Sequence, residues 1–351
     1  MSKPAHRAIA ERNLCWERVR DRLDRFEHIG KRFDIDELRK RSESPPYYCH
    51  YMSWRLGTWR SDHLFENADL LLGIGSALPN WQVEQSILAN CEYSAYWSLL
   101  WQLQVARALA DRGAVPRWNQ RPDLACTHDG ATFYVECTSL RKSLGMREYV
   151  ADLFSHIDSN IRVDHTWWLP FSLPQGRDAD AFLDELFRPY LHRGFLQELR
   201  KKAATEYPVV LPVPVGAQNL RLFLDGTDVA AYKPGENAQG DPDNYLDVMV
   251  REAVNNKRRE NNLPLSRPNA LAVSFLISHE FQAAHERRIA LTNLLPEPDL
   301  GTELDAVLYS WCGIDEQLGD DDVRLFVRDE QHPLTKVFPS CWKRIGGNQF
   351  S

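Results

Sequence analysis

The stretch RPDLACTHDGATFYVECT, residues 121–138, decides the fold of this chain. Within it, Asp129-Gly130 is a favoured pair for a two-residue hairpin loop, because both positions accept the positive φ that such a loop requires. If this pair forms the loop, counting outward along the two strands places Asp123 directly opposite Glu136. The stretch therefore predicts a tight β-hairpin that carries two facing carboxylates.

Two facing carboxylates need something to offset their repulsion. Directly opposed residues share a sheet face, with Cβ atoms about 4.5–5.5 Å apart. A divalent cation, a shared proton or a basic neighbour could each supply the offset. A magnesium-type ion takes one or two carboxylates together with water and phosphate oxygens, which suits Asp123 and Glu136. Two other readings stay open from spacing alone: both carboxylates lie on a solvated hairpin face, or Asp123 only caps the start of its strand.

Composition narrows the class of protein. The 351 residues predict one large domain, or a domain with an appendage, and 43% hydrophobic residues are enough for a packed core. No apolar run approaches the roughly 20 residues of a membrane helix. The N-terminus leads into a charged helix and not into a signal sequence. Because the formal net charge is −7, contact with nucleic acid must come from a local basic patch.

The cysteines indicate a reducing compartment. Their number is odd and no pair has CxxC spacing, which argues against a disulfide framework and against a zinc ribbon. We therefore expect reduced, mostly buried thiols in a cytoplasmic protein. The seven residues are Cys15, Cys49, Cys91, Cys126, Cys137, Cys312 and Cys341.

Helical and strand-like segments alternate along the chain, which indicates an α/β or α+β fold with a mixed sheet. Gly113 is placed to end the helix that precedes the hairpin. The predicted helices are one or two within 7–41, then 94–112, 146–161, 182–195 and 244–260. The predicted strands outside the hairpin are 209–215, 220–224, 270–277 and 304–308.

The hairpin and its surroundings resemble the PD-(D/E)XK nuclease-like superfamily, which has the restriction-endonuclease fold. That family carries Pro-Asp, a variable hairpin and then Glu-x-Lys. Pro122-Asp123 and Glu136-Cys137-Thr138 match this pattern, except that Thr138 stands where lysine is expected. The resemblance implies a core of mixed β-sheet flanked by helices. We expect this nuclease-like domain at residues 76–351, with an N-terminal helical appendage at residues 1–75.

The resemblance also implies a metal site. Asp123, Glu136 and the backbone carbonyl of Cys137 are expected to hold Mg²⁺ or Mn²⁺. The family tends to carry a glutamate on the helix before the hairpin, about eleven residues before a closing glycine. Gln102 occupies that slot relative to Gly113, and we expect it to support the shell around the metal.

A cation must come from elsewhere in the chain, because Thr138 is uncharged. Lys257 is the best candidate, since it continues the apolar stripe of the helix predicted at 244–260. The alternative is that Lys257 extends into water from the helix end. Arg121, opposite Thr138 by hairpin counting, is a second candidate cation. The residues expected to contact nucleic acid are Arg121, Arg141, Lys142 and Arg258.

These expectations together predict a metal-dependent nuclease that hydrolyses DNA phosphodiester bonds. In such hydrolysis the metal polarises the phosphate and lowers the pKa of the attacking water. The alternative is a non-catalytic nuclease-like domain that binds nucleic acid or a protein partner, which Thr138, Gln102 and the acidic net charge favour. Assembly with a second copy of the chain stays open. A third interpretation is an unrelated α/β domain in which the hairpin matches the family pattern by coincidence.

Overall fold

The structure is a computed structural model. The described residues are 4–43, 51–58, 62–81, 93–119, 121–139, 144–158, 161–163, 176–192, 194–205, 209–212, 219–224, 251, 254–257, 268–274, 297–310 and 317–346.

Helices predominate before the hairpin, whereas helices and strands are mixed after it. The helices are α1 (Ala5–Asn13), α2 (Trp16–Arg25), α3 (Glu27–Gly30), α4 (Ile35–Ser42), α5 (Tyr51–Thr58), α6 (His63–Ala77), α7 (Tyr93–Asp111), α8 (Leu144–Ile157), α9 (Gly176–Phe187), α10 (Phe195–Ala203) and α11 (Pro333–Val337). Residues 254–257 are also helical. The strands are β1 (Val115–Trp118), β2 (Leu124–His128), β3 (Ala131–Ser139), β4 (Ile161–Val163), β5 (Val209–Pro212), β6 (Asn219–Leu224), β7 (Asn269–Ser274), β8 (Ala306–Ser310), β9 (Val323–Val327) and β10 (Trp342–Arg344).

The central sheet has seven strands in the order β1-β2-β3-β7-β8-β9-β10. Strands β3, β7 and β8 are parallel neighbours, as are β9 and β10, whereas the pairs β1–β2, β2–β3 and β8–β9 are antiparallel. A second, antiparallel sheet has the order β4-β6-β5. The predicted mixed α/β architecture, a mixed sheet flanked by helices, is confirmed.

The hairpin forms as the sequence predicts. Asp129 and Gly130 have φ of 49° and 76°, so both residues of the loop lie in the left-handed region. The antiparallel pairing then runs outward from His128 opposite Ala131 to Leu124 opposite Val135. The turn chemistry of two residues therefore sets the register of the whole hairpin.

The helix before the hairpin packs on one face of the central sheet. As predicted, α7 closes near Gly113, whose φ is 83°. Its apolar side joins the inward residues of β2 and β3 in one core cluster, and Trp101 Nε1 donates to the Ala272 carbonyl oxygen of β7 at 3.3 Å. The opposite face of β7–β9 is buried in another cluster with Val254. Residues 254–257 and α7 thus lie on opposite faces of the sheet.

The N-terminal helices belong to two further cores. Helices α2 to α6 bury their apolar side chains with the first half of α7. Helix α1 packs instead with α8, α9 and α10. The predicted helical character of residues 1–75 is therefore seen in their described part. The division of the chain at residue 75 stays a prediction.

Several predicted bounds need correction. The helix predicted at 146–161 ends at Ile157, because Ile161 already begins β4. The helix predicted at 182–195 ends at Phe187, where the 3-10 helix Arg188–Leu191 follows, and α10 begins only at Phe195. Pro189 cannot donate a helical hydrogen bond. Strands β1, β4, β9 and β10 were not predicted. Of the helix predicted at 244–260, residues 251 and 254–257 are helical and the remainder lies outside the described residues.

The described residues contain free thiols and no helix that could span a membrane. Its cysteines, Cys15, Cys126, Cys137 and Cys341, are free thiols, and all but Cys15 are buried. Across the same residues, no helix combines the length and apolar character that crossing a membrane requires.

The hairpin turn makes a testable contribution to stability. We expect Gly130→Ala to lower the free energy of unfolding by about 1 kcal/mol, because an L side chain is strained at positive φ. A Cβ at position 130 meets no atom within 4 Å, so the loss reports backbone strain alone. Chemical denaturation measures it.

Gly194→Ala is the matched control. Gly194 has φ of −87°, which alanine adopts without strain, and the closest atoms to an added Cβ belong to the exposed His192 ring. This variant should stay within about 0.5 kcal/mol of the parent. Equal losses in the two variants would show that the turn does not require glycine.

Candidate two-carboxylate site

Asp123 lies where the β2–β3 ladder ends. The last registered pair is Leu124 opposite Val135, so Asp123 comes one residue beyond the ladder, next to the Cys137 N–H. Alternate N–H groups of β3 point toward β2, and that of Cys137 falls just beyond the last paired residue. It donates to Asp123 Oδ2 at 2.7 Å. The carboxylate therefore accepts the hydrogen bond that a longer β2 would have accepted with its backbone.

Gln102 reaches the same carboxylate from α7. Its Nε2 donates to Asp123 Oδ1 at 3.0 Å. The preceding residue, Trp101, ties α7 to the sheet through its hydrogen bond to β7, which fixes the helix at this height. Both oxygens of Asp123 thus accept hydrogen bonds from the protein, one from a strand and one from a helix.

Glu136 is paired with Lys257. Lys257 Nζ lies 3.0 Å from Glu136 Oε1, and the two side chains are 21% and 6% exposed. Val254, three residues before Lys257 and on the same side of the helical segment, is buried against the sheet. The segment therefore turns Lys257 toward Glu136 and not outward into water.

Burial and charge raise the pKa of Asp123 to about 7. Burial is the largest cause, and the negative charge of Glu136 adds to it. The N–H of Cys137, the Lys257 ammonium and the Gln102 amide oppose the rise. A proton on Asp123 and a basic neighbour at Glu136 are thus two of the three offsets that the sequence left open. Burial also raises the pKa of the Cys137 thiol, so this group stays neutral.

The remaining predicted residues are not all at the site. Thr138 is half-buried in β3, in register with Val273 of β7. Arg121 is exposed in the bend before β2, and its carbonyl oxygen accepts from Asn119 Nδ2. The ladder ends before Arg121, so hairpin counting does not extend to its pairing with Thr138. Three predicted nucleic-acid contacts lie outside the described residues: Arg141, Lys142 and Arg258.

The donors at the site fit a hard divalent ion. In the described part of the chain, no group of three or more His, Cys, Asp and Glu side chains could hold a metal. The acidic donors described at this site are Asp123 and Glu136. Carboxylate oxygens with water suit Mg²⁺ or Mn²⁺, which need few protein ligands. The carbonyl of Cys137 points to the same side of β3 as its N–H, toward Asp123. The residues predicted to hold the metal are therefore compatible with it.

Sequence reasoning missed how Asp123 is held in place. The bond from the Cys137 N–H was not predicted, although the strand start just after Asp123 was a usable signal. The contact of Trp101 with the backbone of β7 has no local sequence signal, because 171 residues separate the partners.

Comparison of the chain with protein-family models, with curated proteins and with solved structures finds no match. The resemblance to the PD-(D/E)XK superfamily therefore rests on the motif residues of the sequence.

The raised pKa of Asp123 predicts how stability depends on pH. Between the ordinary value of 3.8 and about 7, the folded protein binds a proton that the unfolded chain has lost. The contribution of Asp123 to the free energy of unfolding therefore falls as pH rises through this range. Asp123→Asn keeps an acceptor for the Cys137 N–H without the charge. We expect it to stabilise the protein by about 2 kcal/mol at pH 8, and by less at pH 5.

Denaturant unfolding at the two pH values measures this difference. Asp36→Asn is the control, because Asp36 is exposed in the first turn of α4. Its effect should not change between pH 5 and pH 8. A gain for Asp123→Asn that is equal at both values would contradict the raised pKa.

The pair of Glu136 and Lys257 predicts a non-additive mutant cycle. Lys257→Met leaves a buried carboxylate without its cation, and should lower the free energy of unfolding by about 2 kcal/mol. Adding Glu136→Gln should restore most of that loss, since the unpaired charge is gone. Lys336→Met is the control, because Lys336 pairs with Asp129 at the surface and surface pairs contribute little. Additive losses in the double variant would argue against a coupled pair.

Proposed function

We propose that this chain is a restriction-endonuclease-like protein of the PD-(D/E)XK kind, which hydrolyses DNA phosphodiester bonds with a divalent metal. The observation that carries the proposal is the contact between Lys257 Nζ and Glu136 Oε1 at 3.0 Å. It supplies, from a distant part of the chain, the cation that Thr138 does not provide.

The surroundings of the site support the same proposal. A glycine-terminated helix packs beside the hairpin, and β3 pairs with a parallel neighbour, β7. Gln102 of that helix contacts the first carboxylate and Lys257 contacts the second. Four residues from three separated parts of the sequence therefore converge, in the arrangement that the resemblance implies.

Each residue of the site has a distinct task. Asp123, Glu136 and the carbonyl of Cys137 would hold Mg²⁺ or Mn²⁺, which when bound polarises the scissile phosphate and activates water. Gln102 fixes the orientation of the Asp123 carboxylate. The Lys257 ammonium stabilises the negative charge that develops on the phosphate, and does so most effectively where burial limits solvent.

Cleavage assays test the proposal directly. We expect divalent-dependent cleavage of DNA by the parent protein, and a loss of about 100-fold or more in Asp123→Ala and Glu136→Ala. Asp129→Asn should cleave like the parent, since its carboxylate lies at the exposed end of the hairpin. Single- and double-stranded DNA and RNA are assayed in parallel. Cleavage that survives both alanine substitutions would contradict the assignment of Asp123 and Glu136 as the nuclease site.

A non-catalytic domain of the same fold is the second candidate. One observation favours it: both oxygens of Asp123 accept protein hydrogen bonds and Glu136 is neutralised by Lys257, so the site is satisfied without a ligand. Calorimetry with Mn²⁺ separates the two candidates. Heat of binding that disappears in Asp123→Ala supports the nuclease, whereas no binding together with no cleavage supports the non-catalytic domain.

A further inference from the structure

The sheet face that carries Glu136 continues over β1, β2 and β3. Arg117, Ala125 and Tyr134 are partners in register across these strands. Their sequence neighbours Cys126 and Phe133 are buried on the α7 side. Because side chains alternate along a strand, Arg117, Ala125 and Tyr134 lie on the other face. We call these three residues the Arg117–Tyr134 row.

The part of this face over β1–β3 is open, unlike the part over β7–β9. Val115 is 53% exposed, Arg117 and Thr132 are exposed, and Tyr134 is half-buried. The same face of β7 and β8 is buried, as Leu271 and Val307 show. The cover of the sheet therefore ends close to Glu136 and leaves a surface next to the candidate site.

The Arg117–Tyr134 row lies two residues along the strands from the two carboxylates. Glu136 comes two residues farther along β3 than Tyr134, on the same face, and Asp123 comes two residues before Ala125, just outside the β2 ladder. Two residues of a strand span about 7 Å. A chain molecule whose reacting group lies at Asp123 and Glu136 can thus place its neighbouring unit on the row.

The charge of this surface suits an anionic chain. Arg117 and Arg121 are both exposed. Within the described residues, neither guanidinium forms an ion pair. Arginine side chains outside an ion pair, beside two carboxylates in a protein of net charge −7, form a local positive rim. Such a rim attracts phosphates although the whole protein is acidic.

We propose that single-stranded nucleic acid binds across this face, with Arg117 contacting the phosphate next to the scissile one and Tyr134 stacking on a base. This inference rests on the proposed function, because the carboxylates define which phosphate is scissile. A cation and an aromatic ring on the same surface favour single-stranded over double-stranded nucleic acid. Rings stack on bases that are splayed out of a helix, whereas a duplex keeps its bases stacked on each other and offers mainly its phosphates.

Fluorescence anisotropy with a labelled oligodeoxynucleotide tests the surface, with EDTA present so that no cleavage occurs. We expect Arg117→Gln and Tyr134→Leu each to bind about tenfold more weakly than the parent, since one stacked base contributes about that factor or more. Tyr134→Phe keeps the ring and should bind like the parent. The dependence of affinity on salt should be shallower for Arg117→Gln, because one phosphate contact is lost.

Arg344→Gln is the matched control. Arg344 is exposed on β10, at the other edge of the sheet, so its loss should leave binding unchanged. A duplex of the same length should bind at least tenfold more weakly than the single strand. Equal or tighter duplex binding, or parent-like binding by both Arg117→Gln and Tyr134→Leu, would overturn the inference. Thermal unfolding of each variant reports whether it is folded.

The outcomes separate this inference from the proposed function. Binding that depends on Arg117 and Tyr134, without any Asp123-dependent cleavage, supports the surface and overturns the nuclease. Asp123-dependent cleavage, with binding that ignores Arg117 and Tyr134, supports the nuclease and overturns the surface. Absence of both binding and cleavage overturns both.

Discussion

The positive φ of Asp129 and Gly130 is the constraint on which the site depends. A two-residue loop allows one register, and side chains alternate with a period of two. A slip of one residue would turn Glu136 toward α7 and bring Cys137 to the face of Lys257. The side of β3 on which Glu136 lies and the apolar packing of Val135 under α7 therefore both depend on this turn.

The end of the β2 ladder creates the second half of the site. A strand that continued past Leu124 would satisfy the Cys137 N–H with a carbonyl, and Asp123 would be one more side chain on the sheet. Because the ladder stops, the carboxylate takes the place of that carbonyl and becomes half-buried. Its raised pKa means that folding disfavours the charged form at neutral pH. A group held against its own ionisation is common at functional sites, where stability and function conflict.

Local chemistry made the hairpin and the glycine-terminated helix predictable, whereas the rest of the sheet depended on distant partners. Strand β1 contains Pro116, which is tolerated only because β1 is an edge strand. Strand β10 has three residues and is recognisable only beside β9. Lys257 could be proposed from the apolar stripe of its helix. Its contact with Glu136, across 121 residues, follows from the topology and not from any local pattern.

That topology explains how Thr138 can lack a charge without leaving Glu136 unpaired. Strands β3 and β7 are adjacent and parallel, so the chain must return from the end of β3 to the opposite edge of the strands before β7 begins. The segment 254–257 precedes β7 and lies on the face of Glu136. A lysine there reaches the same carboxylate as one placed two residues farther along β3. The difference is that Lys257 is positioned by its ion pair and not by a strand, so any cation that competes for Glu136 also changes where Lys257 lies.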